Sequence, residues 1–245
     1  LANNITLTAN SNINDITIAG ALTLTGNRTV GLDGATLAGT VNLSNSGTTR
    51  TLTVNTGAGN TGTINGVIGN GSASSGNITK IGDGDLVLGG ANTYSGTTTI
   101  NDGTIKLGAK SGLPSTSNVT SNAKSAGKTA SLDLSGFDTT VASLTFGGTG
   151  GTATSTNNVS TGAGTLTVAG NITFTSTGNP FGSTLSGNLN LSASSHTLSI
   201  ADSSTAANDL TLSANIANSS ARIVKSGTGT SVLSGNNAYT RGTTI

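Results

Sequence analysis

Two stretches of this chain repeat one another without a gap: Lys80 to Ile100, "KIGDGDLVLGGANTYSGTTTI", and Lys225 to Ile245, "KSGTGTSVLSGNNAYTRGTTI". They agree at 11 of 21 positions: Lys80, Gly82, Gly84, Val87, Leu88, Gly90, Asn92, Tyr94, Thr98, Thr99 and Ile100 each recur 145 residues later. Segments upstream match in the same order: "IAGALTLTGN" (18–27) with "VAGNITFTSTGN" (168–179), "GTVNLS" (39–44) with "GNLNLS" (187–192), and "TLTV" (51–54) with "TLSI" (197–200). The chain therefore reads as one continuous segment, 1–245, holding about 1.7 copies of a unit of about 145–150 residues. A closed barrel or sandwich cut at such a fraction leaves strands unpaired, whereas a solenoid grows by rungs and tolerates any number.

What fills the unit is strict alternation. "ITLT" (5–8), "ALTLT" (21–25), "TVNLS" (40–44), "RTLTV" (50–54), "DLVL" (85–88), "TIKL" (104–107) and "SLDL" (131–134) place aliphatics on one face and mainly Thr, Asn or Ser on the other. "SLTF" (143–146), "GTLTV" (164–168), "NITFT" (171–175), "NLNLS" (188–192), "TLSI" (197–200) and "DLTLS" (209–213) continue the pattern. A period of two marks half-buried strands. Between them lie clusters such as "NSGTT" (45–49), "GAGNTG" (57–62) and "GNGSASSGN" (69–77), which read as turns. The expected fold is all-β: a right-handed parallel β-helix, with about three short strands per rung and aliphatic ladders inside. At roughly 20–25 residues per rung it has about ten to twelve rungs and a length of about 50 Å.

Composition narrows the field. All nine acidic residues are Asp, and 37 Gly with abundant Thr, Ser and Asn displace the strong helix formers. Six aromatics, Tyr94, Phe137, Phe146, Phe174, Phe181 and Tyr239, leave a narrow core of Leu, Ile, Val and Ala. Charged residues are only 8% of the chain, with a net charge of +1, which removes the electrostatic term for nucleic acid or anionic lipid. With no cysteine there is neither a disulfide framework nor a thiolate metal site. No run of 18 apolar residues suggests a membrane helix. The chain opens at Leu1 without a Met or a leader pattern and reads as an excerpt of a longer protein or a processed product.

Residues 82–108, "GDGDLVLGGANTYSGTTTINDGTIKLG", resemble the autotransporter-associated β-strand repeat of Gram-negative passenger domains. The resemblance is carried by Leu86, Leu88, Gly90, Ala91, Asn92, Thr93, Tyr94, Gly96, Thr98, Thr99, Ile100, Gly103 and Thr104, and in the second copy by Gly235, Asn237, Tyr239, Gly242, Thr243, Thr244 and Ile245. Each copy keeps one glycine of the family's pair, Gly96 followed by Thr97 in the first and Gly242 preceded by Arg241 in the second, so the bend is retained but altered. "SLDLSGFDTTVASLTFGG" (131–148) resembles the rungs that follow this repeat. The resemblance implies a secreted, surface-displayed β-helix and a role of the repeat in passenger folding at the outer membrane.

The residues themselves give the motif a structural role. Tyr94 and Tyr239 are the only tyrosines and share one slot, where each is expected to bury its ring over a turn and reach a backbone carbonyl. Asn92 and Asn237 are expected to close the turn by accepting backbone N–H groups.

Catalytic, cofactor and metal sites are not expected. "GAGNTG" fits a dinucleotide-loop pattern but opens no helix. Asp83 and Asp85 in "GDGD" would suit a calcium turn, yet Thr228 and Thr230 replace them in the second copy. His196, the sole histidine, has Ser195 beside it and Asp202 nearby, but neighbouring strand residues face opposite ways, and a surface or turn histidine is expected. The best set for polysaccharide chemistry is Asp83, Asp85 and Asp102 with Lys80 or Lys106, and none of these Asp residues is repeated.

The reading that follows is an extracellular, non-catalytic stalk or adhesin rod. Its partners are neighbouring rungs and an unspecified surface, glycan or protein ligand, with membrane contact only through a separate barrel. Alternatives are a filament or sheath subunit joined end to end through edges at Leu1 and Ile245, a polysaccharide-processing β-helix enzyme, or a protein whose outward Thr rows bind ice or glycans.

Overall fold

The computed structural model describes residues 3–43, 47–148, 156–177, 181–192, 195–217 and 220–245. Every regular element among them is a strand, and the strands pair in parallel into sheets of four, eleven and twelve. In the eleven-stranded sheet, spatial order follows chain order from Ser11–Asn12 to Thr243–Thr244. Such an order arises only if the chain coils, placing one strand of this face in each turn. The fold is a β-solenoid, and eleven strands spaced at about 4.8 Å give a stack about 50 Å long.

Rungs differ in length. One column of the eleven-stranded sheet runs Thr29, Thr53, Thr79, Thr99, Thr120, Thr145, Thr173, Ser199 and Ser226 in register. The step from Thr79 to Thr99 takes 20 residues and that from Thr145 to Thr173 takes 28. The extra residues leave through corners, so strand register is preserved while loops vary. Outward Thr suits this position because its branched side chain fits a pleated surface and its hydroxyl keeps a nearly uncharged face wet.

Inside, the next position forms a ladder: Val30, Val54, Lys80, Ile100, Ser121, Phe146, Phe174 and Ile200 lie one above another. Phe146 and Phe174 face each other across adjacent rungs and are buried. Leu86, Ile105, Leu132, Val159, Leu185 and Leu212 form the matching ladder on the twelve-stranded sheet. Each buried aliphatic contributes about 1.5–3 kcal/mol of transfer free energy, most of it offset by the chain entropy of ordering its rung.

Two expectations need correction. The third face is not one continuous sheet: it pairs over Ile5–Leu7, Leu22–Leu24, Val41–Asn42 and Ile68–Gly69, and again over Thr139–Val141, the C-terminal parts of Thr156–Val168 and Ser183–Leu191, and Asn215–Ile216. Above Ile68 its place is taken by non-strand backbone at 91–95, whose Thr93 and Tyr94 N–H groups both donate to Ile68 O, at 2.9 and 3.2 Å.

Nor are the polar gaps all turns. "GAGNTG" runs into the strand Thr61–Ile64, and "GNGSASSGN" into Ser75–Ile81. Gly62 and Gly76 occupy inward, buried positions there, and a Cβ on Gly76 would strike Leu43 and crowd Tyr94. Gly62 fills the slot that Leu86 holds on the next rung, and Gly76 sits where a side chain would meet Leu43, so the alternation is erased at both positions. Asn45 and Ser46 of "NSGTT", Ser44 of "TVNLS", and 178–179 of the matched upstream segment lie outside the described residues.

Candidate functional site

The first repeat copy forms a corner in which side chains replace a missing strand. Asn92 accepts the Ile68 N–H through Oδ1 at 2.8 Å and donates through Nδ2 to Gly112 O at 2.7 Å. Its own N–H donates to Ser111 O at 3.0 Å. Ile68 ends the short sheet, so the Asn92 amide supplies the acceptor that a next strand would have offered. The residue thus joins the rung below to the loop above, rather than closing its own turn.

Tyr94 is fully buried, and its hydroxyl meets Thr98 Oγ1 at 2.7 Å. Thr98 continues to Ser117 Oγ at 2.9 Å, which donates to Gly96 O at 3.2 Å. The expected carbonyl contact is therefore reached through two hydroxyls. Burial raises the Tyr94 pKa well above its usual value, partly opposed by bonds to Thr98 and Ser117, and holds the phenol neutral. Gly96 N donates to Gly76 O at 2.9 Å, Thr99 belongs to the outward column, and Ile100 is buried.

The second copy repeats this pattern. Ile216 N donates to Asn237 Oδ1 at 3.2 Å, Ala238 N to Ile216 O at 2.9 Å, and the Tyr239 hydroxyl meets Thr243 Oγ1 at 2.6 Å. Gly242 O accepts from Ile223 N at 3.2 Å, and Thr244 Oγ1 from Arg222 Nη2 at 2.7 Å. In both copies the glycine before Asn is forced by close approach, because a Cβ at Gly90 or Gly235 would run into the carbonyl of Gly66 or Ala214 one rung below. Thr243–Thr244 is the last strand of its sheet, so Tyr239 is only half-buried and Ile245 is 95% exposed.

Lys80 opens the first copy from inside the bore, between Val54 and Ile100. Its Nζ donates to Ile81 O at 2.7 Å, Gly82 O at 2.6 Å and Asp102 O at 3.4 Å. Lys225 makes the matching bond to Gly227 O at 2.6 Å. Gly82 and Gly227 present those carbonyls from a left-handed backbone, with φ of 75° and 81°. Burial pulls the Lys80 pKa from its usual 10.5 down to about 8, with the carboxylates of Asp85, Asp102, Asp83 and Asp33 opposing it.

A family model described as passenger-associated-transport-repeat matches residues 78–107 and 223–245, the two segments that build these corners. The chain carries two passenger-associated-transport repeats. No curated protein and no solved structure matches it. Repeat and parallel stack together are consistent with a segment of an autotransporter passenger.

Outside the repeats' Asn, Tyr and Lys, the candidate reactive groups are engaged in structure. Asp85 pairs with Lys106 at 2.6 Å and Asp83 with Lys128 at 2.6 Å. The hydrogen bond to Asp85 raises the Lys106 pKa. The Asp102 carboxylate accepts from Lys124 N, Ser125 N and Ser125 Oγ. His196, expected at the surface or a turn, is instead buried at 1% exposure on the strand Ser195–Ile200, with Nδ1 2.8 Å from Gly170 O and Nε2 against Ser192 O. Its neighbour Ser195 is exposed, as strand alternation requires, so the pair does not converge. Among the described residues no group of three His, Cys, Asp or Glu is placed to hold a metal, and no helix is long and apolar enough to cross a membrane.

Lys80 carries more of the site than its sequence reading assigned to it. The signal was present: "KIGDG" and "KSGTG" keep Lys two residues before a glycine in both copies.

Proposed function

We propose that this chain is a non-catalytic stalk and adhesive segment of a surface-displayed autotransporter passenger, in which each repeat corner clamps one rung to the next. The observation that supports this reading most is the recurrence of the same bonds in both copies: Asn to the N–H of the rung below, Tyr to Thr, and Lys to the glycine carbonyl. A chain that emerges through a membrane must add rungs in sequence, and a side chain that completes an open sheet edge gives each new rung a template. The pairing of Asp85 with Lys106 and of Asp83 with Lys128 supports the non-catalytic part.

The test is display of the chain ahead of an outer-membrane translocating barrel in a Gram-negative host. The Asn92→Ala/Tyr94→Ala variant is expected to lower the protease-resistant passenger at the cell surface several-fold at equal expression. Equal surface yield and equal protease resistance would overturn the clamp.

A further inference from the structure

Beside the first repeat corner lies a groove of about 690 Å³, within the roughly 300–1,000 Å³ typical of ligand sites. Its floor is the outer face of the C-terminal half of the strand Thr156–Val168 and its two neighbours, where Thr140, Thr167 and Asn190 stand in register on three successive rungs. Its wall is the 109–117 loop. That wall is fixed by three bonds: Asn92 N to Ser111 O, Asn92 Nδ2 to Gly112 O, and Thr139 Oγ1 to Lys110 O at 3.1 Å. The repeat's own asparagine therefore shapes the groove, and the concavity exists before any ligand arrives.

We propose that this groove binds a neutral saccharide chain laid across the three rungs, an inference that rests on the adhesive reading and gives its ligand a chemical class. Charge decides against phosphate or nucleotide, since the lining offers one cation, Lys110, against one anion, Asp138, whose Oδ1 is already accepting from Thr165 N at 2.9 Å. Apolar ligands are disfavoured because the ring of Tyr94 is buried behind the wall, and hydroxyl and amide groups dominate what faces the groove. Ser and Thr hydroxyls both donate and accept, as Asn does through two different atoms, and sugar hydroxyls have the same double capacity. A column of such groups repeating at about 4.8 Å matches an extended polymer better than a compact metabolite. Pro114 at the rim adds a small apolar patch for a sugar C–H face.

Maltotriose, cellotriose and chitotriose serve as probes in amide-shift titrations of the whole chain. At least one is expected to shift Lys110, Ser115, Thr140, Thr167 and Asn190 saturably. The Thr140→Val/Thr167→Val variant keeps side-chain shape and strand preference while removing two hydroxyls, and should bind at least tenfold more weakly with an otherwise unchanged spectrum. No shifts with any of the three probes, or shifts undiminished in the variant, overturn the proposal. Neither result touches the clamp, which is read separately from surface yield.

Discussion

Replacing Asn92 by Ala isolates the bond that stands in for a missing strand. Asn92 is 5% exposed, and its loss strands two backbone groups, Ile68 N–H and Gly112 C=O. Leaving one such group buried and unpaired costs about 1–3 kcal/mol. Because Ala leaves space that water can enter, the pair should cost about 2–4 kcal/mol. In a solenoid that cost falls on the local rungs before the whole stack. Amide hydrogen exchange at Ile68 is therefore the assay, and the cost corresponds to acceleration of about 30- to 1,000-fold. Asn237→Ala is the internal control: it removes a longer bond, 3.2 Å to Ile216 N, from a half-buried edge, and should accelerate Ile216 by less than about tenfold. If Ile68 exchanges at its wild-type rate in Asn92→Ala, or if the two variants behave alike, the amide is not the acceptor that holds the corner.

Lys80 predicts an unusual alkaline gain. Its folded pKa of about 8 lies below its usual 10.5, so the unfolded chain holds the proton more tightly. Stability should be flat below about pH 8 and rise towards about pH 10.5, by no more than about 3 kcal/mol. Urea unfolding across that range should show the rise, and Lys80→Met should abolish it; a rise that survives the substitution would assign it elsewhere. Gly82→Ala should cost about 1–3 kcal/mol, since its φ is 75° and a Cβ would strike Thr56 O, and exchange at Thr56, whose N–H donates to Ile81 O, should report it. Gly59→Ala shares the backbone angle, at φ 78°, but meets nothing within 4 Å, so a cost equal to that of Gly82→Ala would remove the steric part of the argument.

The coil was legible because its driving pattern is local. Ile105 and Leu107, or Leu166 and Val168, alternate with polar neighbours and are buried on the strands the pattern marks. What escaped was set by neighbours one rung away. Gly62 and Gly76 look like turn residues until Leu32 and Leu43 are seen to fill the space beside them. His196 looked like a surface residue because the carbonyl that receives its Nδ1, Gly170 O, lies 26 residues back on the neighbouring rung. The partner of Asn92 lies 24 residues back, and the hydroxyl that relays Tyr94 to a carbonyl lies on Ser117. Which positions mattered could be read from their recurrence; what they touch depended on loop lengths that a repeat does not encode.

The central claim is that successive turns stack in one direction, so separation along the rod grows with rung number. Because the chain lacks cysteine, paired Cys substitutions accept spin labels cleanly. Thr53→Cys/Thr173→Cys lie five rungs apart in the outward column and Thr29→Cys/Ser199→Cys seven. Dipolar spectroscopy should give about 24 Å and about 34 Å between the backbone positions. A Thr29–Ser199 separation equal to or shorter than Thr53–Thr173 would mean that the chain folds back on itself, and the solenoid would be wrong.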